Sequence, residues 1–300
     1  IPADRSSTRP VEPATQIHRF DLTAPGPARY VASGEVPGWL VNQYALSEWQ
    51  GHLRVATTSG RAGAVDERSS SAVYVLRVPA ASGESVQALR EVGRVTGLGR
   101  NEQIYAVRFL GDTGYVVTFR QTDPLYRIDL RDPATPRVTG ELKINGYSAY
   151  LHQIGDGRLL GIGQDADGQG RVKGTQVSLF DVSDSARPVR IAQHRIDGAH
   201  SEAEFDPHAF LYWPADRLLV VPLFTPDAMG TEALVLRVGD RTLDEAGRVR
   251  HPVPDTALVE KNTMIRRSLM VGDTLWTVSD AGLLASRVAD LGKIGWVPLT

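Results

Sequence analysis

Apolar and polar residues alternate in short runs along almost the whole chain, and Gly, Asp or Pro interrupts each run. Alternate side chains of an extended backbone share a face, so this period of two predicts half-buried β-strands. Five segments read as hairpins: Trp39 to Thr58, Tyr105 to Phe119, Ala149 to Gly163, His208 to Leu223 and Met264 to Ser279. Their turns fall at Gln50-Gly51, Gly111-Asp112, Gly155-Asp156-Gly157, Pro214-Ala215-Asp216 and Gly272-Asp273. Gly and Asp suit such turns because the connecting residues need positive φ or a side chain that bonds the local backbone. No apolar periodicity supports a helix longer than about two turns. ESVQALREV and TLDEAGR come nearest, both in connections between strands.

A second pair of runs follows each hairpin, and two of these pairs repeat one another. YRIDLRDPATPRVTGEL, from Tyr126 to Leu142, returns 52 residues later as SLFDVSDSARPVRIAQH, from Ser178 to His194. In both copies an Asp closes an apolar run (Asp129, Asp181), a second Asp follows three positions on (Asp132, Asp184), and a Pro precedes the next run (Pro136, Pro188). Hairpin plus second pair makes a four-stranded unit that recurs at roughly 45–60 residues, the arrangement of a propeller blade. The expected fold is therefore all-β: a β-propeller of about five complete four-stranded blades, at 39–99, 102–147, 148–197, 207–253 and 262–299. An extra pair at 17–36 reads as the outer half of a further blade, giving a six-bladed ring if closed. Residues 1–16 are expected to form a flexible tail and 17–300 a single propeller domain, a fragment of a longer protein. A half-blade leaves strand edges open, so self-association through them is expected.

Several words of the chain carry a family resemblance. NQYALSE, LRVATT, VVTFRQTDPLY and GELKI occur in that order, most clearly between Tyr30 and Pro222. They resemble the secreted β-propeller proteins of bacteria and archaea, whose C-terminal propeller is distantly related to WD repeats. The resemblance implies a propeller fold and an extracellular or cell-surface location. It carries over no enzyme chemistry.

Composition narrows the function further. The net charge of −2 offers no basic field for nucleic acid. No apolar run approaches the roughly 20 residues of a membrane helix, so any signal or anchor is expected upstream of residue 1. The absence of cysteine excludes disulfides, thiolate zinc sites and a cysteine nucleophile. There is no Gly-x-Ser-x-Gly elbow and no phosphate-binding glycine loop.

Three groups of residues remain as candidate sites. HSEAEFDPH places His200, Glu202, Glu204, Asp206 and His208 at every second position, where an extended chain would line them on one face. Imidazoles with carboxylates suit zinc and carboxylates alone suit calcium, so a divalent metal, calcium or zinc, is the cofactor these side chains would hold. DADGQG, from Asp165 to Gly170, resembles the start of a calcium loop, but Gln176 stands where the bidentate Glu belongs, which favours a hairpin tip. The third group comprises Glu48, Glu102, Arg108, Arg120 and His152 as ligand-binding candidates on inner-strand ends. There, Arg108, Arg120 and Asp123 are expected to be buried in ion pairs that lock neighbouring blades. The five tryptophans fall about once per blade, as packing wedges, with Trp49 and Trp213 the more exposed. The function expected from all this is a secreted or cell-surface scaffold binding a protein or glycan. The alternatives are a metal-dependent hydrolase or lactonase with an axial site, and a structural module supporting an upstream region.

Overall fold

The alternating runs fold as strands throughout the computed structural model, which describes residues 13–60, 69–79, 85–120, 122–155, 157–225, 231–252 and 263–299. The first sheet holds β1 (Ala14–Asp21) and β2 (Arg29–Pro37). The second is built of β3 (Leu46–Trp49), β4 (His52–Thr58), β5 (Ser71–Arg77) and, after the two-residue β6 (Gln87–Ala88), β7 (Arg90–Leu98). Strand β6 pairs in parallel with β2 and so makes the first sheet three-stranded. The third sheet comprises β8 (Gln103–Leu110), β9 (Thr113–Phe119), β10 (Thr122–Asp129) and β11 (Arg137–Asn145). The fourth comprises β12 (Tyr147–Gly155), β13 (Arg158–Ala166), β14 (Val172–Asp181) and β15 (Val189–Asp197). The fifth comprises β16 (Leu211–Trp213), β17 (Leu218–Phe224), β18 (Thr231–Val238) and β19 (Leu243–Arg250). The sixth comprises β20 (Arg267–Val271), β21 (Thr274–Ser279), β22 (Gly282–Arg287) and β23 (Lys293–Pro298). Five sheets are thus four-stranded and meander in chain order, as a propeller blade requires.

Two details depart from the sequence reading. TLDEAGR is part of β19 and not of a connection, because cross-strand pairing overrides the helical preference of Glu and Ala. Strand β1 begins at Ala14, inside the segment expected to be a tail, whose first twelve residues lie outside the described ones.

Packing divides the chain into two compact units, 1–120 with 126–139, and 121–125 with 140–300. In the first, Ile17, Ala32 and Val36 pack on Val55, Tyr74 and Leu76, while Val73 and Val75 on the opposite face meet Val107, Val116 and Ile128. In the second, Leu218, Val220 and Val235 pack with Ile265, Leu275 and Leu284. Strand β5 is buried on both faces, which is why third strands read as nearly unbroken apolar runs. Each fully buried Leu or Val there contributes about 1.5–3 kcal/mol.

The first, second, fourth, fifth and sixth sheets carry the same irregularity in their outer pairing. Val75 faces Gly93 and Leu76 faces Glu91, so Val92 is skipped as a bulge. The same one-residue bulge follows Leu179–Ala192, Val235–Gly247 and Ala285–Gly295. It also follows Arg19–Ala32 in the first sheet, where Phe20 then faces Tyr30. Strands β1 and β2 are therefore a third and fourth strand, the outer half of a blade. A small residue on the fourth strand admits the next turn: a Cβ on Gly93, beside the bulge, would lie 2.3 Å from the Pro133 carbonyl oxygen, and one on Gly140 of β11 would lie 2.7 Å from that of Ser185.

The repeated Asp turns close as their chemistry requires. Asp181 accepts from the Ser183 backbone N–H and hydroxyl, and Asp21 likewise from Thr23. Asp129 accepts instead from the Arg131 backbone and guanidinium and from Arg137.

Candidate binding pocket

The segment His200 to Phe210 does not run as an extended strand. Two single-turn 3-10 helices form at Glu202–Glu204 and Pro207–Ala209. Ser201 and Glu204 make a capping box around the first, and Asp206 caps the second, which opens with Pro207. This coiling overturns the expectation that His200, Glu202, Glu204, Asp206 and His208 share one face. Glu204 turns inward, and its carboxylate accepts from Gln164 Nε2 at 2.5 Å, the Ser201 backbone N–H at 2.9 Å and the Thr175 hydroxyl at 3.2 Å. Burial pushes the Glu204 carboxyl above its ordinary pKa, against those three donors. Asp206 is held by His208 Nδ1 at 2.9 Å and the Arg267 guanidinium at 2.5 Å. His200 and His208 are exposed. Among the described residues no three His, Asp or Glu side chains gather into a group that could hold a metal.

The same coiling builds a pocket. Antiparallel meandering brings the end of β15, the end of β17, the start of β18 and the start of β20 to one end of the blades. There His200, Glu202, Phe205, Phe224, Met264 and Arg266 surround a cavity of about 270 Å³ floored by Pro222 and Leu223. Its walls are tied by main-chain bonds. His200 and Phe224 exchange N–H···O bonds of 2.9 and 2.8 Å, the Ser201 hydroxyl donates to the Pro222 carbonyl at 2.6 Å, and the Ile265 N–H donates to Thr231 Oγ1 at 2.5 Å. The lining is mainly apolar and lies open: Phe205 is 82% exposed and Phe224 46%. The polar groups sit at the rim, where Arg266 also pairs with Asp280 at 3.2 Å. A preformed apolar cavity smaller than the roughly 300–1,000 Å³ of small-molecule sites suits one or two apolar side chains.

The inner-strand candidates have separate roles. Glu48 is exposed and pairs with Arg19 at 3.4 Å. Glu102 accepts the Thr118 hydroxyl at 2.5 Å. The Arg108 guanidinium lies 4.9 Å from the centre of the Tyr44 ring. His152 sits in an aromatic cluster with Tyr150, Phe210 and Tyr212, its Nδ1 3.1 Å from the Tyr150 hydroxyl. Arg120 is exposed, which removes the expected buried ion pair, and the Asp123 side chain lies outside the described residues.

The locking role falls to Arg54, which sequence reasoning missed. It is 3% exposed, donates to the Gly111 carbonyl, the Ser47 carbonyl and the Ser47 hydroxyl, and lies 5.2 Å from the centre of the Phe109 ring. Beside it Trp49 donates from its indole nitrogen to Asp112 at 3.0 Å, although the ring is 44% exposed. DADGQG is a hairpin tip: Asp167 accepts from the Gln169 and Arg171 backbones and pairs with Arg171 and Lys173.

Five four-stranded meandering sheets and a partial one, with a recurring outer bulge, define a β-propeller. Residues 3–291 match the family described as "Beta propeller domain", and the chain belongs to it. An uncharacterized protein of Methanocaldococcus jannaschii is 37% identical over 83% of this chain and 35% of its own length. One from Archaeoglobus fulgidus is 43% identical over 59% of this chain and 25% of its own length. The chain thus spans about a third or less of these relatives. Among solved structures, BamB from Moraxella catarrhalis is similar with a TM-score of 0.42 and 11% identity, over 76% of this chain and 62% of that one. No helix among the described residues is long and apolar enough to cross a membrane.

Proposed function

We propose that this propeller is a protein-binding scaffold, exported or displayed at the cell surface, and that the pocket between Phe205, Phe224 and Met264 takes an apolar anchor side chain of its partner. One observation carries the reading: Phe205 stands 82% exposed at the mouth of an apolar cavity. Soluble domains seldom expose apolar clusters without a use, and binding energy concentrates where an anchor fills a central pocket ringed by polar groups. His200, Glu202 and Arg266 supply such a rim. The exported location rests on the resemblance to secreted propellers.

Selection of a displayed random peptide library on the purified chain tests the site. The expected winners share an aromatic or aliphatic anchor, compete with one another, and lose at least about tenfold in affinity against Phe205→Ala with Phe224→Ala. Winners that bind this double variant as tightly as the parent would place the binding surface elsewhere.

A further inference from the structure

The shared bulge fixes which residues correspond from sheet to sheet, and at one place the second sheet breaks the pattern. Counting from the bulge, Arg77 facing Arg90 holds the position of Asp21 facing Arg29, Asp181 facing Val189 and Arg237 facing Asp244. Asp129 is the repeat counterpart of Asp181 in the third sheet, and Arg287 falls at this place in the sixth. In those five sheets the charge is answered. Asp21 pairs with Arg29 at 2.8 Å, Asp129 with Arg131 at 2.7 Å and Arg287 with Asp290 at 3.0 Å, while Asp181 accepts from the Ser183 hydroxyl and Arg237 faces an aspartate. In the second sheet two guanidiniums stand directly opposite each other, and like charges so placed repel. The row across that sheet, from Trp49 through His52 and Arg77 to Arg90, holds no carboxylate. Glu91, the next residue along, pairs with Arg94 at 3.5 Å. Arg77 and Arg90 are both exposed, and among the described residues neither makes an ion pair. A local rule broken in one repeat alone is the mark of a site.

Beside this pair the chain leaves its own sheet. Gln87 and Ala88 pair with β2, and the Leu89 N–H donates to the Ser33 carbonyl at 2.7 Å. The detour leaves a cavity of about 380 Å³ lined by Arg77, Arg90, Gln87, Ala88 and Pro79. A carboxylate is satisfied by one guanidinium fork, so two forks call for more oxygens and a second charge. A phosphate monoester offers both, with three terminal oxygens and a charge near −2 at neutral pH. The cavity falls within the roughly 300–1,000 Å³ of small-molecule sites, and Pro79 and Ala88 give it apolar surface. We propose that Arg77 and Arg90 together bind the phosphate of a small phosphate monoester, whose organic body occupies the rest of the cavity against Pro79 and Ala88. This inference does not depend on the Phe205 pocket, which lies in the other unit.

Titration calorimetry of the full 300-residue chain at neutral pH and low salt, with phenyl phosphate as the probe, tests the site. One molecule should bind per chain. Inorganic phosphate, which lacks the body, and phenyl sulfate, which has the same shape with a single charge, should each bind at least about fivefold more weakly. Arg77→Gln and Arg90→Gln should each weaken phenyl phosphate at least about tenfold, since each removes a charged fork. Both changes lie at exposed positions and relieve a repulsion, so Tm should stay within about 2 °C of the parent. Arg94→Gln makes the same change in net charge beside the cavity and should leave the affinity within about twofold. No binding at millimolar phenyl phosphate would overturn the proposal. So would binding that survives both Arg77→Gln and Arg90→Gln, or binding that Arg94→Gln weakens as much, because general charge would then be the cause. Equal affinity for phenyl sulfate or inorganic phosphate would overturn the assignment to a phosphate monoester.

Discussion

The second strands of the fourth and fifth blades bring equivalent residues to the same end of the blade, and the two positions differ. The Val182 N–H bonds the Gly157 carbonyl, and the Val238 N–H bonds that of Arg217. Seven residues beyond those carbonyls stand Gln164 and Phe224. Gln164 is 3% exposed because Glu204, on the connection leaving its blade, reaches back to it. Phe224 is 46% exposed, and no described side chain closes over it. One blade end is latched by a carboxylate, and the other is left as a pocket. A single turn serves both, because Glu204 faces the latch while Glu202 and Phe205, its near neighbours, line the opening. Latching should therefore show in stability and the opening in recognition.

The largest effect expected is at a second latch, where His251 lies between the Ser279 and Thr277 hydroxyls, each 2.8 Å away. Burial lowers its pKa from 6.5 to about 4. The folded imidazole stays neutral while the unfolded one gains a proton. Stability should thus fall by roughly 3 kcal/mol as pH drops from above 6.5 to below 4, and His251→Gln should flatten that part of a urea-melt pH series. An unchanged slope in that variant would break the argument.

Glu204→Ala should cost about 2 kcal/mol in urea denaturation, since Gln164, Thr175 and the Ser201 N–H all lose their acceptor. Glu204→Gln keeps an acceptor oxygen and should remain within about 1 kcal/mol of the parent. Because burial raises this carboxyl's pKa, the fold favours its neutral form. The parent should lose stability as pH rises from the ordinary carboxylate range through that raised value, and Glu204→Gln should not. The smallest effect on stability belongs to the open end. Phe205→Ala should change unfolding free energy by no more than about 0.5 kcal/mol while weakening peptide capture. A large loss of stability there would mean that Phe205 packs as part of the fold.

The strands and their Asp turns were legible because alternation and turn chemistry are local. Asp129, Asp132, Asp181 and Asp184 all bond the backbone within three residues of themselves. The expectation that His200 to His208 line one face failed because alternate positions share a face only when the chain is extended. The contrary signal was present: Ser201 with Glu204 three residues on is a capping-box spacing, and Asp206-Pro207 is a helix start. Phe205, a large apolar residue between carboxylates, was the readable mark of the pocket. Arg54 had no such mark. Its burial depends on the Gly111 carbonyl, 57 residues away, and an arginine inside an alternating strand looks the same whether a neighbouring turn covers it or not.

The bulge beside Gly93, with the turn at Pro133 lodged against it, has a consequence for how such chains change over time. The third sheet carries both parts of the joint: Gly140 on its fourth strand admits the turn at Ser185, and its own turn at Pro133 enters against Gly93. A duplicated repeat inherits a fitting for either side, so the number of blades can grow or shrink by whole units without new contacts having to be invented.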